Sequence, residues 1–264
     1  MAPPGLKRAS TSEAARRYRQ DGHDDATIFA LLIGLDSEYL RDAKAKKDVV
    51  DLSGDTHSVK SGAKKWQIFL YRRSRFLNDD GFQALNGIGS LLVHCIDAFP
   101  PRYSDYEDNK DAAKERLQAP MRELRDRFQR KALLRAFLRK SIFNGGEVNY
   151  LTVCHDDAYH IYWSDDVVNI MANGFEVVNS KARRQGEFDD QKVLFRYKER
   201  NVGELEMRNE SAAHYGEVRF NMNKKPCLQL LRDAELVSNE FTDIITTYGR
   251  ACQTFGNWPP KRNN

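Results

Sequence analysis

The sequence predicts an α+β fold with a mixed central β-sheet flanked by helices. Two features carry that prediction. Apolar residues recur mainly at helical spacing over residues 12–144, where strand-like runs are confined to 47–71. From Gly145-Gly146 onward, VNYLTVC, YHIYWS, GFEVV, KVLFRYK, GELEMRN and GEVRFNM follow as short runs rich in β-branched and aromatic residues, and helical spacing returns over 229–255. Helices grouped around a block of strands make α+β rather than a regular βαβ alternation.

Taken in order, residues 1–11 are rich in Pro, Ser, Lys and Arg and read as a disordered tail. Ser12 is placed to cap a helix over EAARRYRQ, and a second helix spans about Asp25 to Ala45, with Ile28, Leu31, Leu32, Leu35 and Leu40 at helical spacing and Glu38 on it. KDVVDLSGDTHSVKS then reads as a β-hairpin turning at Ser53-Gly54-Asp55, and KWQIFLY as a further strand. Residues 79–98 read as a helix weakened by Gly87 and Gly89. A longer helical stretch from Asp111 to Phe143 is expected to divide at Pro120, which lacks the N–H a helix interior needs. The six strand-like runs are spaced closely enough for a meander. Residues 12–264 are therefore taken as one domain, with a helix-rich part at 12–144 and a strand-rich part at 145–264.

Composition excludes several classes. The chain has 264 residues, long enough for a sizeable core, and is 41% hydrophobic and 30% charged, as in ordinary globular proteins. No apolar run is long enough to span a bilayer, and the N-terminus lacks the apolar stretch of a secretory signal, so a non-membrane, cytoplasmic protein is expected. Cys95, Cys154, Cys227 and Cys252 lie far apart, which suits reduced thiols rather than a zinc site. There is no phosphate-cradling Gly-rich loop followed by Lys, no G-x-G-x-x-G and no H-E-x-x-H, so no nucleotide cofactor is expected.

The net charge of +4 says little by itself, but its distribution says more. No acidic residue falls between Thr56 and Leu77, a stretch holding Lys60, Lys64, Lys65, Arg72, Arg73 and Arg75. None falls between Arg127 and Gly146 either, where Arg127, Arg130, Lys131, Arg135, Arg139 and Lys140 stand. Such stretches form either a phosphate-binding surface or plain solvated faces.

Phosphodiester hydrolysis needs carboxylates for a divalent cation, an activated water, and a cation for the charge that develops on phosphorus. A hairpin supplies these when the acid of one strand lies across from a lysine of the next. Asp48, Asp51 and Asp55 lie before or in the turn, and Ser58-Val59-Lys60 lies after it. A three-residue loop Ser53–Asp55 sets Asp48 opposite Lys60, on the face of Ser58. A loop Ser53–Thr56 sets Asp51 toward Ser58 instead, because a one-residue slip exchanges the faces. Alternation turns His57 away from Ser58 in either case.

This segment, over about residues 38–67, resembles the PD-(D/E)XK nuclease superfamily, in the Ser-x-Lys variant found among type II restriction endonucleases. The resemblance implies a restriction-endonuclease-like fold in which Asp48 is the first acid, Ser58 stands at the second-acid position, Lys60 is the lysine and Glu38 is a helical glutamate. Two departures stand out: Lys47 precedes Asp48 where the pattern has Pro, and Ser58 is a poor metal ligand. The missing carboxylate then comes from Glu38, Asp51 or Asp55, or more remotely Asp79 or Asp80. The resemblance further implies Mg²⁺ held by Asp48 with Glu38 or Asp51, site-specific hydrolysis of double-stranded DNA, a homodimer matched to a palindromic site, and a bacterial or archaeal cytoplasm. Lys64, Lys65, Gln67, Arg72 and Arg73 follow as DNA contacts.

A second segment, GELEMRNESAAHYGEVRFNM (203–222), is similar to a C-terminal stretch of several type II restriction enzymes. In it Arg208 suits guanine and Asn209 adenine, and His214, Tyr215 and Arg219 suit phosphates. Glu204 and Glu206 share a strand face and form a rival metal pair, expected to have no lysine nearby on that face. CHDDAYH (154–160) reads as the polar tip of a hairpin rather than a metal site. Two other functions stay open: a structure-specific repair nuclease of the same superfamily, and a non-catalytic DNA-binding module.

Overall fold

The computed structural model describes residues 24–35 and 48–257. The expected N-terminal tail, the helix after Ser12, and Glu38 lie outside the described residues. In chain order the elements are α1 (Asp25–Leu32), β1 (Val49–Val50), β2 (Thr56–Lys60), β3 (Lys65–Arg72), α2 (Arg73–Asn78), α3 (Asp80–Gln83), α4 (Ile88–Asp97), α5 (Tyr103–Asp108), α6 (Lys110–Phe128) and α7 (Lys131–Phe143). There follow β4 (Tyr150–His155), β5 (Ala158–Trp163), α8 (Ser164–Gly174), β6 (Glu176–Asn179), β7 (Lys192–Tyr197), β8 (Arg200–Arg208), β9 (Glu217–Asn223), α9 (Lys224–Asp233), β10 (Ser238–Thr242), β11 (Ile245–Tyr248) and α10 (Ala251–Thr254). The fold is α+β, as expected. In place of one central sheet it has two: a mixed six-stranded sheet and an antiparallel five-stranded sheet. The chain divides into two compact units, and each draws on separated segments: unit 1 on 1–61, 143–168 and 234–264, unit 2 on 62–142 and 169–233.

Unit 1 holds the six-stranded sheet, in the order β1-β2-β4-β5-β11-β10. Its β2–β4 and β5–β11 pairs are parallel, and the other pairs are antiparallel. Strand registers put Val49, His57, Val59, Tyr150, Cys154, Tyr159, Ile161 and Ile245 on one face. That face packs against Ile28, Phe29 and Leu32 of α1 and against Phe255. Each large apolar side chain buried there contributes roughly 1.5–3 kcal/mol. Asp24 starts α1 by accepting the Thr27 N–H at 2.8 Å. Asp156 and Asp157, both with positive φ, make the two-residue turn of the β4–β5 hairpin, which bears out the polar-tip reading of CHDDAYH.

Unit 2 holds the five-stranded sheet, in the order β3-β9-β8-β7-β6. One face is apolar, where Phe195 and Phe220 meet Phe128 and Phe137 of α6 and α7. The opposite face is polar.

Several element boundaries differ from expectation. Pro120 lies inside the 19-residue α6 and does not divide it; the break comes at Gln129–Arg130. A helix-interior proline costs about 3 kcal/mol. Leu117, Met121, Leu124 and Phe128 are all buried along one side of α6, and four such burials outweigh that cost. The helix over 79–98 breaks at Asn86 and Gly87, both left-handed. The strand block is interrupted by α8, whose Val167, Val168, Met171 and Ala172 are buried at helical spacing; their β-branched content hid the helix. The helical tail is α9, which ends at Asp233, and the hairpin β10–β11 and short α10 follow it. Among the described residues, no helix is long and apolar enough to cross a membrane.

Candidate active site

The hairpin adopts neither of the two expected registers. Val49 pairs with His57 and Val50 with Thr56, so the loop is Leu52-Ser53-Gly54, closed by the Asp51 N–H donating to the Asp55 carbonyl at 2.8 Å. Asp51 sets this register. Its Oδ1 accepts the Ser53 N–H (2.9 Å), the Ser53 hydroxyl (2.7 Å) and the Asp55 N–H (3.0 Å). Gly54 takes the left-handed conformation the loop needs, at φ +88°.

Continuing this register places Asp48 across from Ser58, and the Asp48 N–H donates to the His57 carbonyl at 2.9 Å. Lys60, two residues beyond Ser58, lies on the same face. The Asp48 Oδ2 accepts the Val59 N–H at 2.7 Å and the Ser58 hydroxyl at 3.4 Å, and stands 4.0 Å from the Lys60 Nζ. Among the described residues no donor reaches Oδ1. The Asp48 side chain is 33% exposed and that of Lys60 21%, so the pair sits at a partly covered surface.

Burial dominates the electrostatics of the pair. It raises the Asp48 carboxyl above its ordinary value, against Lys60, the Val59 N–H and the Ser58 hydroxyl, and the negative charge of Asp24 adds to the rise. Burial likewise lowers Lys60 below the usual lysine range, against the attraction of Asp48. Both groups are thus pushed toward their neutral forms, as in sites that handle protons. Among the described residues, Asp24 is the further carboxylate whose charge is felt at Asp48. It was not singled out in the sequence; its only local signal is the helix-capping spacing to Thr27.

Asp51 does not join this face. It is 2% exposed on the opposite side of the hairpin, and its Oδ2 lies 3.4 Å from the His57 Nε2. His57 is fully buried, bonded through Nδ1 to the Thr152 hydroxyl at 2.9 Å and stacked on Tyr150. Asp55 faces the Tyr150 hydroxyl at 3.3 Å. Asp79 caps α3 and pairs with Arg75 and Lys140, at 3.1 and 2.8 Å. Among the described residues no group of three or more His, Cys, Asp or Glu side chains is placed to hold a metal. The chemistry of Asp48 still fits a small hard cation. Mg²⁺ keeps several waters and is commonly held by one or two carboxylates together with substrate phosphate, and Asp48 offers an oxygen that no described donor reaches, with the charge of Asp24 felt there.

The other predicted residues lie in unit 2. Lys65, Gln67, Arg72, Arg208 and Arg219 share the polar face of the five-stranded sheet. Most of their charges already have partners. Lys65 contacts Glu204 at 2.5 Å, Arg72 contacts Glu217 at 3.1 Å, Arg208 contacts Glu210 at 2.5 Å, and Arg219 contacts Glu206 at 2.6 Å. Lys64 is exposed beside the start of β3, and Arg73 pairs with Asp97 at 2.9 Å. Asn209 accepts the Gly216 N–H at 3.2 Å, which holds the loop before β9. His214 stands 3.5 Å from Glu217. Tyr215 donates to the Pro100 carbonyl at 2.6 Å and packs among Phe99, Tyr103 and Tyr106, a structural position. The rival pair Glu204 and Glu206 does face lysines: the Lys192 ammonium contacts both, so a cation of the chain stands where a metal would have to bind.

Comparison of the chain with protein-family models, curated proteins and solved structures finds no match in any of the three.

Proposed function

We propose that this chain is a Mg²⁺-dependent endonuclease that hydrolyses double-stranded DNA at a short specific sequence, in the manner of type II restriction enzymes. The observation that carries the reading is the placing of Asp48, Ser58 and Lys60 on one partly covered face. Asp48, with Asp24 beside it, would hold the cation, which supplies charge neutralisation at phosphorus and a more acidic bound water. Ser58 and the Val59 N–H hold Oδ2, and among the described residues no donor takes Oδ1. Lys60, lowered by burial, releases a proton more readily than a surface lysine and in its charged form stabilises the phosphate oxygens. A homodimer on a palindromic site and a cytoplasmic setting belong to the same proposal.

The test is digestion of several viral and plasmid DNAs by purified protein, in Mg²⁺ or EDTA, beside Lys60→Ala. Discrete fragments that need Mg²⁺ and disappear in the variant are expected. Cutting only at junctions or flaps would transfer the protein to the structure-specific nucleases. Gel shifts without any cutting would leave a DNA-binding module.

A further inference from the structure

The polar face of the five-stranded sheet contains one pair of side chains that the ion pairs around it leave unused. Gln67 of β3 and Asn221 of β9 are direct cross-strand partners. Gln67 is exposed, whereas Asn221 is only 9% exposed, and among the described residues neither carboxamide makes a hydrogen bond. The polar atoms of Asn221 are not sealed from solvent, so both carboxamides stand open to a ligand.

The setting points to what that is. β3 is the edge strand and β9 its neighbour, so the pair stands at one margin of the five-stranded sheet. The β3–β9 ladder is bulged between Gln67 and Phe69, a device that re-aims the adjoining side chain. Lys65 lies two residues before Gln67, and Arg219 two residues before Asn221. Each is held on a glutamate, Lys65 on Glu204 and Arg219 on Glu206. Lys65 keeps about half of its side chain exposed despite that pairing and can still meet a phosphate, so that phosphate contact sets position and the neutral pair beside it is left for base edges. A carboxamide matches adenine, whose major-groove edge offers an acceptor at N7 and a donor at N6; guanine offers two acceptors. The major groove of A-form RNA is too deep and narrow for such reading, which favours DNA.

We infer that Gln67 and Asn221 are specificity-determining residues that read adenine in the major groove of duplex DNA, in place of the Arg208–Asn209 pair that the sequence suggests. Arg208 is engaged by Glu210 and Asn209 holds a loop, so neither is free for that task. The inference rests on the DNA-cutting function proposed above and names its recognition element.

The test uses the full chain carrying Lys60→Ala, which leaves the bound DNA intact, with Mg²⁺ and a randomised duplex pool whose retained members are sequenced. The background protein is expected to select a motif containing adenine. Adding Gln67→Ala or Asn221→Ala should weaken the preference for that adenine by about tenfold, while affinity for unselected duplex changes by less than about twofold. Gln67 is exposed, so its variant remains informative if Asn221→Ala fails to fold. An unchanged motif in the Gln67 variant would overturn the inference and leave the nuclease proposal standing. Preferential retention of an RNA or single-stranded pool would also overturn it. If no duplex were retained and wild type cut none, both readings would fall together.

Discussion

Asp48 has a carboxyl that the fold pushes toward its protonated form. A folded-state value raised above that of the unfolded chain gives stability that is present below about pH 4 and is lost as pH rises through the raised value. At neutral pH the charged group therefore works against folding. Asp48→Asn is expected to melt no lower than wild type at neutral pH, while DNA cutting falls by at least about a hundredfold. Thermal melts beside a plasmid digest check both, and a clearly lower melting temperature would contradict the electrostatic account. His57 shows the opposite linkage. Burial lowers its folded value despite Asp51, so its contribution is present above about pH 6.5 and is lost as pH falls through the lowered folded value. Asp51, whose burial acts to raise it but which His57 and Ser53 together hold below its ordinary value, adds a loss in the same direction at more acid pH. His57→Gln should flatten the decline in urea midpoint below about pH 6.5; an unchanged pH profile would place the acid sensitivity elsewhere.

At the level of elements, the β1–β2 hairpin decides which acid meets Lys60. Its acids, its turn residues and the lysine were all readable in the sequence, but its register was not. A shift of a single residue exchanges faces at almost no cost in local propensity, and three hydrogen bonds to Asp51 Oδ1 select among the registers. Gly54→Ala tests the turn. A methyl group there meets nothing within 4 Å, so its effect is purely conformational at φ +88°. A loss of about 1–2 kcal/mol in urea denaturation is expected, with reduced cutting as Asp48 loses its place. A loss below about 0.5 kcal/mol would show that the loop has another conformation open to it. Pro120 in α6 and the concealed α8 show why local signals misplace boundaries: a buried apolar stripe outweighs one missing hydrogen bond, and a Val-Val pair fits strand and helix alike.

At the scale of the whole molecule, cations are abundant, and among the described residues many are engaged in ion pairs. The net charge of +4 and two acid-free stretches suggest a broad phosphate-binding surface. In unit 2 Glu204 meets Lys65 and Glu217 meets Arg72 of the first stretch, although both glutamates lie more than a hundred residues further along the chain, and Glu206 and Glu210 meet Lys192, Arg208 and Arg219. Glu206→Gln removes the carboxylate that holds Lys192 and Arg219. It is expected to strengthen binding to unselected duplex and to steepen the salt dependence by about one in log–log slope. Fluorescence anisotropy over a salt series measures this, and an unchanged slope would mean that these cations do not meet phosphate.

By itself the sequence determined the α+β class, the six strand-like runs, the hairpin with its turn and its lysine, and the short set of acids that could face that lysine, because each is written in local periodicity and turn chemistry. Tertiary structure alone decided the partition of the strands between two sheets, the choice of Asp48 over Asp51 as the partner of Lys60, the charge of Asp24 beside them, and the meeting of Gln67 with Asn221. These depend on strand pairings between residues far apart in the chain, and hydrophobic periodicity shows which face of a strand is buried without showing which strand lies beside it.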